Sequence, residues 1–173
     1  MKRAILLFVA GISFAYTAHA QKCRYVKDDN DPFNKKTAHT AVMAIGLGIA
    51  GWEIILQEIG HKYYLGLRII NNGVVEKFYE KGEKILFMVS EEKIVELIAG
   101  KDYEPIPLEM FGGQFTQWIV KEEISKADFT LFSKGRIIAV KGNIGGNDFV
   151  LKNLKEKQTT KIMETAACIL ENY

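Results

Sequence analysis

Histidine and cysteine are scarce in this chain, three and two residues of 173, and their scarcity closes several catalytic routes. The two cysteines, Cys23 and Cys168, form no Cys-x-x-Cys, so a thioredoxin-like redox centre is excluded. No His-Glu-x-x-His pair of a zinc hydrolase occurs. His39 and His61 with a carboxylate are the remaining candidates for a zinc site, but both read as strand-end or loop residues. The nucleophile elbow Gly-x-Ser-x-Gly is absent; Ser90 falls in a charged turn and Ser125 suits a helix cap. Gly46-Leu47-Gly48 lacks the third glycine and the acidic partner of a dinucleotide site. No repeat of the solenoid kind recurs.

An excess of charge is lacking as well. The 23 basic residues include Lys2 and Arg3, which belong to a leader; without them 21 remain against 21 acidic residues. A neutral chain gives no electrostatic reason for a nucleic-acid or anionic-membrane partner, so neither is expected. Long hydrophobic runs are missing too. The most apolar stretch, TAVMAIGLGIAGWEIIL over 40–56, is interrupted by Glu53 and falls short of the ~20 residues of a spanning helix. Gly46, Gly48 and Gly51 weaken any helix there by about 1 kcal/mol each. The segment reads as two buried strands bent around the glycines, with a buried helix as the alternative.

What is present begins with that leader. Lys2 and Arg3 precede AILLFVAGISFAY, and Ala18-His19-Ala20 supplies small residues at −3 and −1, so residues 1–20 read as a signal peptide cleaved after Ala20. Gln21 and Lys22 separate the small residues from Cys23, so Cys23 reads as an internal residue and no lipid or other stable membrane anchor is expected. Residues 21–173 are expected to form one domain, periplasmic or secreted. In that oxidising setting two cysteines allow one intramolecular pairing, a structural staple; two separate buried thiols are the alternative.

The fold class expected is α+β, mainly antiparallel hairpins, with a short helix near 126–133 and a C-terminal helix on the sheet. KCRYVK (22–27) reads as a short strand, DDNDPFNKK as a polar loop broken at Asp31-Pro32, and its acidic run as a solvated turn lacking the spacing of a calcium loop. EIGHK (58–62) is a turn before YYLGLRII, whose Tyr63, Leu65, Leu67 and Ile69 share a face. Asn71-Asn72-Gly73 is a turn, and 81–89 with 93–99 a hairpin across Ser90-Glu91-Glu92. Pro105, Pro107 and Gly112-Gly113 mark an irregular connection ahead of the strand 115–122. Ser125 and Asp128 form a capping box for a helix ending near Gly135. RIIAVKGN and DFVLKN pair across Ile144-Gly145-Gly146-Asn147, and Leu154 to Glu171 carries a helical face of Ile162, Met163, Ala166, Ala167, Ile169 and Leu170.

Cys23-Arg24-Tyr25 leading to Asp31-Pro32-Phe33, Tyr63-Tyr64-Leu65, Ile124-Ser125 before a short helix, and Ala166-Ala167-Cys168 together resemble small secreted proteins of Bacteroidota. The resemblance implies export and favours pairing of the two cysteines; it brings no catalytic residues.

For function, the carboxylates Glu76, Glu80, Glu91, Glu92, Glu122 and Glu123 read as solvated charge, with Glu122-Glu123 the polar end of a strand. The aromatics Trp52, Tyr63, Tyr64, Phe78, Tyr79, Phe87, Phe111, Phe115 and Trp118 read first as a filled β core, second as the lining of an apolar pocket or a protein-binding face. No catalytic, cofactor-binding or metal residue is assigned and no cofactor is expected. The expectation is an exported, non-enzymatic binding or interaction module with a protein partner. A carrier of a small hydrophobic ligand comes second and a hydrolase third. Oligomeric state does not follow from these residues.

Overall fold

A computed structural model describes residues 23–30, 37–45, 51–89, 93–144 and 146–173. The leader 1–20, the Asp31-Pro32 break, the bend at Gly46 and Gly48, the Ser90-Glu91-Glu92 turn and Gly145 lie outside them. The six-stranded sheet holds β1 (Lys27–Asn30), β2 (Thr37–Ala44), β3 (Trp52–Ile59), β4 (Lys62–Asn72), β7 (Ile106–Met110) and β8 (Gly113–Ile124), in the order β1-β2-β3-β4-β8-β7. The four-stranded sheet holds β5 (Lys84–Val89), β6 (Lys93–Ile98), β9 (Ile137–Ile144) and β10 (Asn147–Leu151), ordered β10-β9-β5-β6. Every strand pair in both sheets is antiparallel, and two helices, α1 (Lys126–Lys134) and α2 (Glu156–Asn172), complete an α+β fold.

The segment 40–56 is the expected strand pair. β2 and β3 run antiparallel from Ala38 opposite Ile59 to Ala44 opposite Glu53. β3 turns into β4 through Gly60 and His61, both at positive φ (57° and 66°), the conformation that keeps a two-residue hairpin in step with strand twist. Along β4 the alternation holds: Tyr63, Leu65, Leu67 and Ile69 are buried on one face. On the other face Gly66 is required, because a Cβ there would sit 2.9 Å from the Val120 carbonyl.

Three local expectations are corrected by strand pairing. The strand expected over 22–27 starts only at Lys27, because Cys23–Val26 close a turn (Val26 N–H to Cys23 O, 3.0 Å). It then runs through Asp28, Asp29 and Asn30, which the ladder to β2 holds extended despite their turn-forming side chains. Asn71 and Asn72 belong to β4, and only Gly73 turns, at φ 89°. The chain then crosses to the other sheet instead of folding back. The connection around Pro105 and Pro107 is regular: Ile106–Met110 is β7, hairpinned to β8 through Phe111 and Gly112, again both at positive φ. β7 is the outermost strand, where a proline is tolerated.

The inner faces of both sheets and the helices share one core. Leu65, Leu67, Trp118 and Val120 from the larger sheet, Phe87, Val95 and Leu97 from the smaller, Phe129 and Phe132 of α1, and Ile162, Ala166 and Ile169 of α2 are all buried in it. Phe87 meets Phe132 edge-on at 5.8 Å, and Tyr63 meets Phe129 at 4.9 Å. α1 starts as its sequence indicates: the Asp128 N–H donates to Ser125 Oγ (3.0 Å), and the Ser125 hydroxyl donates back to the Asp128 carboxylate. Cys23 and Cys168 stand as a pair at bonding distance, Cα–Cα 5.8 Å, tying the N-terminal turn to α2.

Candidate functional site

Three features bear on function: the histidines, the aromatics and the exposed sheet. Cross-strand register puts Asp28, His39, Glu58 and Tyr63 in one row along the inner face of β1, β2, β3 and β4. His39 Nδ1 lies 3.0 Å from the Asp28 carboxylate, its Nε2 lies 3.8 Å from Glu58, and the Tyr173 ring stacks on it at 3.5 Å. The Glu58 side chain is only 4% exposed, and it accepts the backbone N–H of His61 from the hairpin turn. The Tyr173 hydroxyl lies 3.4 Å from Asp28, and burial together with that carboxylate pushes it above the ordinary tyrosine range.

His39 is thus within hydrogen-bond reach of a carboxylate, as a hydrolase would require. Its ring face, however, is covered by Tyr173 and both of its nitrogens face carboxylates. The arrangement docks the end of α2 onto the sheet. His61 is 89% exposed on its turn. Among the described residues, no group of three or more His, Cys, Asp or Glu is arranged to hold a metal ion. Glu58 and Tyr173 were not singled out by their sequence context. The available signal was parity: Glu58 follows Ile54 and Leu56 on the inward positions of β3, as His39 precedes Ala41 and Met43 on β2.

The carboxylates scatter. Glu123 pairs with Lys62 at 2.8 Å at the solvated end of β8. Glu122 is more than a polar strand end: it accepts from Gly100 N–H (2.6 Å) and lies 2.7 Å from the Tyr103 hydroxyl. That clamp closes the crossover between β6 and β7, and burial followed by the Glu122 contact pushes the Tyr103 hydroxyl up to about 12. Tyr79, bridged to Tyr103 through the backbone, is wholly buried, with no partner for its hydroxyl among the described residues.

Most of the aromatics fill the core. Trp118, Tyr79 and Phe87 are wholly buried, Tyr63 and Phe115 nearly so, and the Trp118 indole N–H donates to the Lys77 carbonyl (3.1 Å). Phe78 and Phe111 are exposed. Phe78 lines an open groove of about 440 Å³ with Val74, Val75, Pro105, Pro107 and Thr116 and with two carboxylates, Glu76 and Glu104.

Among the described residues, five exposed apolar side chains lie on the outer face of the four-stranded sheet. Phe87, Val95 and Val140 point into the core, and the alternate positions point out. Met88 stands opposite Ile94 on one side and Ala139 on the other, next to Ile138; Ile98 lies two rows away opposite Lys84, Val150 lies on β10 opposite Lys141, and Glu96 and Lys141 flank Leu86 between these rows. Met88, Ile94, Ile98, Ile138 and Val150 are 38 to 51% exposed. Lys84 and Glu96, 2.7 Å apart, lie on the same face, as do Lys141 and Asp148.

Among the described residues this is an α+β fold of two antiparallel sheets, with apolar side chains exposed on the outer face of the smaller one. Comparison of the chain with protein families, curated proteins and solved structures returns no match.

Proposed function

We propose that this chain is an exported, non-enzymatic binding module that works by surface complementarity in the periplasm or outside the cell. The observation that carries the reading is the outer face of the four-stranded sheet. Its five exposed apolar side chains present on the order of 400 Å² of apolar surface, within the range of the largest patch on a soluble protein, which often serves as a contact surface. The paired cysteines at 5.8 Å fit an oxidising compartment, and no helix among the described residues is long and apolar enough to cross a membrane. A carrier of a small hydrophobic molecule is the second reading, and the groove beside Phe78 gives it a place.

A photo-crosslinking residue at Ile94, compared with one at Glu123 on the other sheet, tests the contact surface in the exporting cell. The reading expects adducts of discrete protein mass from position 94 and far fewer from 123. Equal yields from both positions, or none from either, would contradict it.

A further inference from the structure

Resting on that contact surface, we propose that its occupant is a second copy of this chain, docked sheet face to sheet face about a two-fold axis near Met88. The area is right for it. A standard interface takes roughly 800 Å² from each partner, a little over half of it apolar, which matches the on-the-order-of-400 Å² that this face offers. The charges favour self-docking over capture of an oppositely charged partner. Lys84 and Lys141 are balanced by Glu96 and Asp148; Lys84 is already paired with Glu96 at 2.7 Å, and Asp148 accepts from Asn143 Nδ2 at 2.9 Å. A face without a single-sign field selects no oppositely charged surface and does not repel its own image.

The layout also suits a two-fold. An isologous interface places one patch against itself, so an acid on one side of the axis must meet a base from the other side. β5 is an interior strand, and its Met88 sits mid-row between Ile94 on β6 and Ala139 on β9. Lys84 lies at the far end of β5, opposite Ile98, and between the two rows Leu86 is flanked by Lys141 on β9 and Glu96 on β6, so a two-fold running along β5 sets Glu96 of each copy against Lys141 of the other. Two such twisted faces stack about 10 Å apart with strands inclined by roughly 30°, which brings the two Met88 side chains together. Methionine's flexible thioether adapts to such a self-contact.

Sedimentation equilibrium of the protein purified after export tests this. The wild type is expected to dimerise reversibly at micromolar concentration. Met88→Lys and Met88→Glu are each expected to weaken the dimer by at least about ten-fold, with unchanged circular dichroism and melting. Their equimolar mixture is expected to recover a heterodimer, because only a two-fold contact brings the opposite charges face to face. A wild type that stays monomeric into the high micromolar range overturns the second copy; discrete adducts to a different protein from position 94 would then leave the contact surface standing. A dimer indifferent to both substitutions overturns the proposal too, and equal crosslinking from 94 and 123 would then remove the contact surface with it.

Discussion

Glu58 shows how much one inward-facing residue decides. It is a buried carboxylate that takes the His61 N–H and faces the His39 ring. Removing it leaves polar groups short of a partner inside the sheet, a loss of about 1–3 kcal/mol. Glu58→Leu is therefore expected to lower the urea midpoint by that order, and Glu58→Gln, which keeps an acceptor for His61, by less. Tyr79 predicts the opposite sign. Its hydroxyl is buried without a described partner, so Tyr79→Phe removes an unsatisfied group and is expected to leave the urea midpoint unchanged or raise it. Tyr103 gives a pH dependence. Its hydroxyl is raised from 10.0 to about 12, so the folded state holds the proton more tightly than the unfolded chain does. That contribution to stability is complete below about pH 10 and is lost as pH climbs through about 12. Urea midpoints of the wild type should fall more steeply across that window than those of Tyr103→Phe. None of these partnerships was legible in sequence: Glu58, Tyr103 and Tyr173 meet residues set by register and crossover, which local spacing does not encode.

Elements were far more legible than contacts. The β3–β4 hairpin, the capped helix after Ser125, the β9–β10 hairpin and the amphipathic C-terminal helix all follow from turn chemistry and periodicity within a dozen residues. Failures came where strand pairing overrode local preference. Asp28 to Asn30 are extended by β2, Asn71 and Asn72 by β8, and Ile106 to Met110 are paired with β8 although two prolines flank Ile106. Strand formation depends on such neighbours more than helix formation does. At this scale the disulfide is the element to test. It closes a separation of 145 residues. On chain-entropy grounds a loop that long restricts the unfolded state by about 5 kcal/mol, and removing a native bridge from a small exported domain commonly costs ~2–5 kcal/mol. Cys168→Ser, or reduction of the wild type, is expected to lower unfolding free energy by several kcal/mol. An unchanged urea midpoint would show that α2 is held by its apolar face and the Tyr173–His39 stack alone.

Across the whole molecule, the class of fold came from the sequence while the working surface did not. Most of the aromatics are core, as first read, since strands from two sheets converge on them, and the exposed apolar face is built from ordinary strand residues such as Met88 and Ile138. Only the assembled sheet, with its bulge between Met88 and Val89, makes a patch of them. The central claim is that an exported, bridged protein works through that face without a small-molecule cargo. Native mass spectrometry of the full chain expressed with its leader and recovered from a periplasm tests it most directly. The account predicts a species beginning at Gln21, lighter than the reduced chain by two hydrogens, carrying no small-molecule adduct and present as a dimer. An unprocessed chain, two free thiols, or extra mass of a few hundred daltons that leaves on denaturation would contradict it.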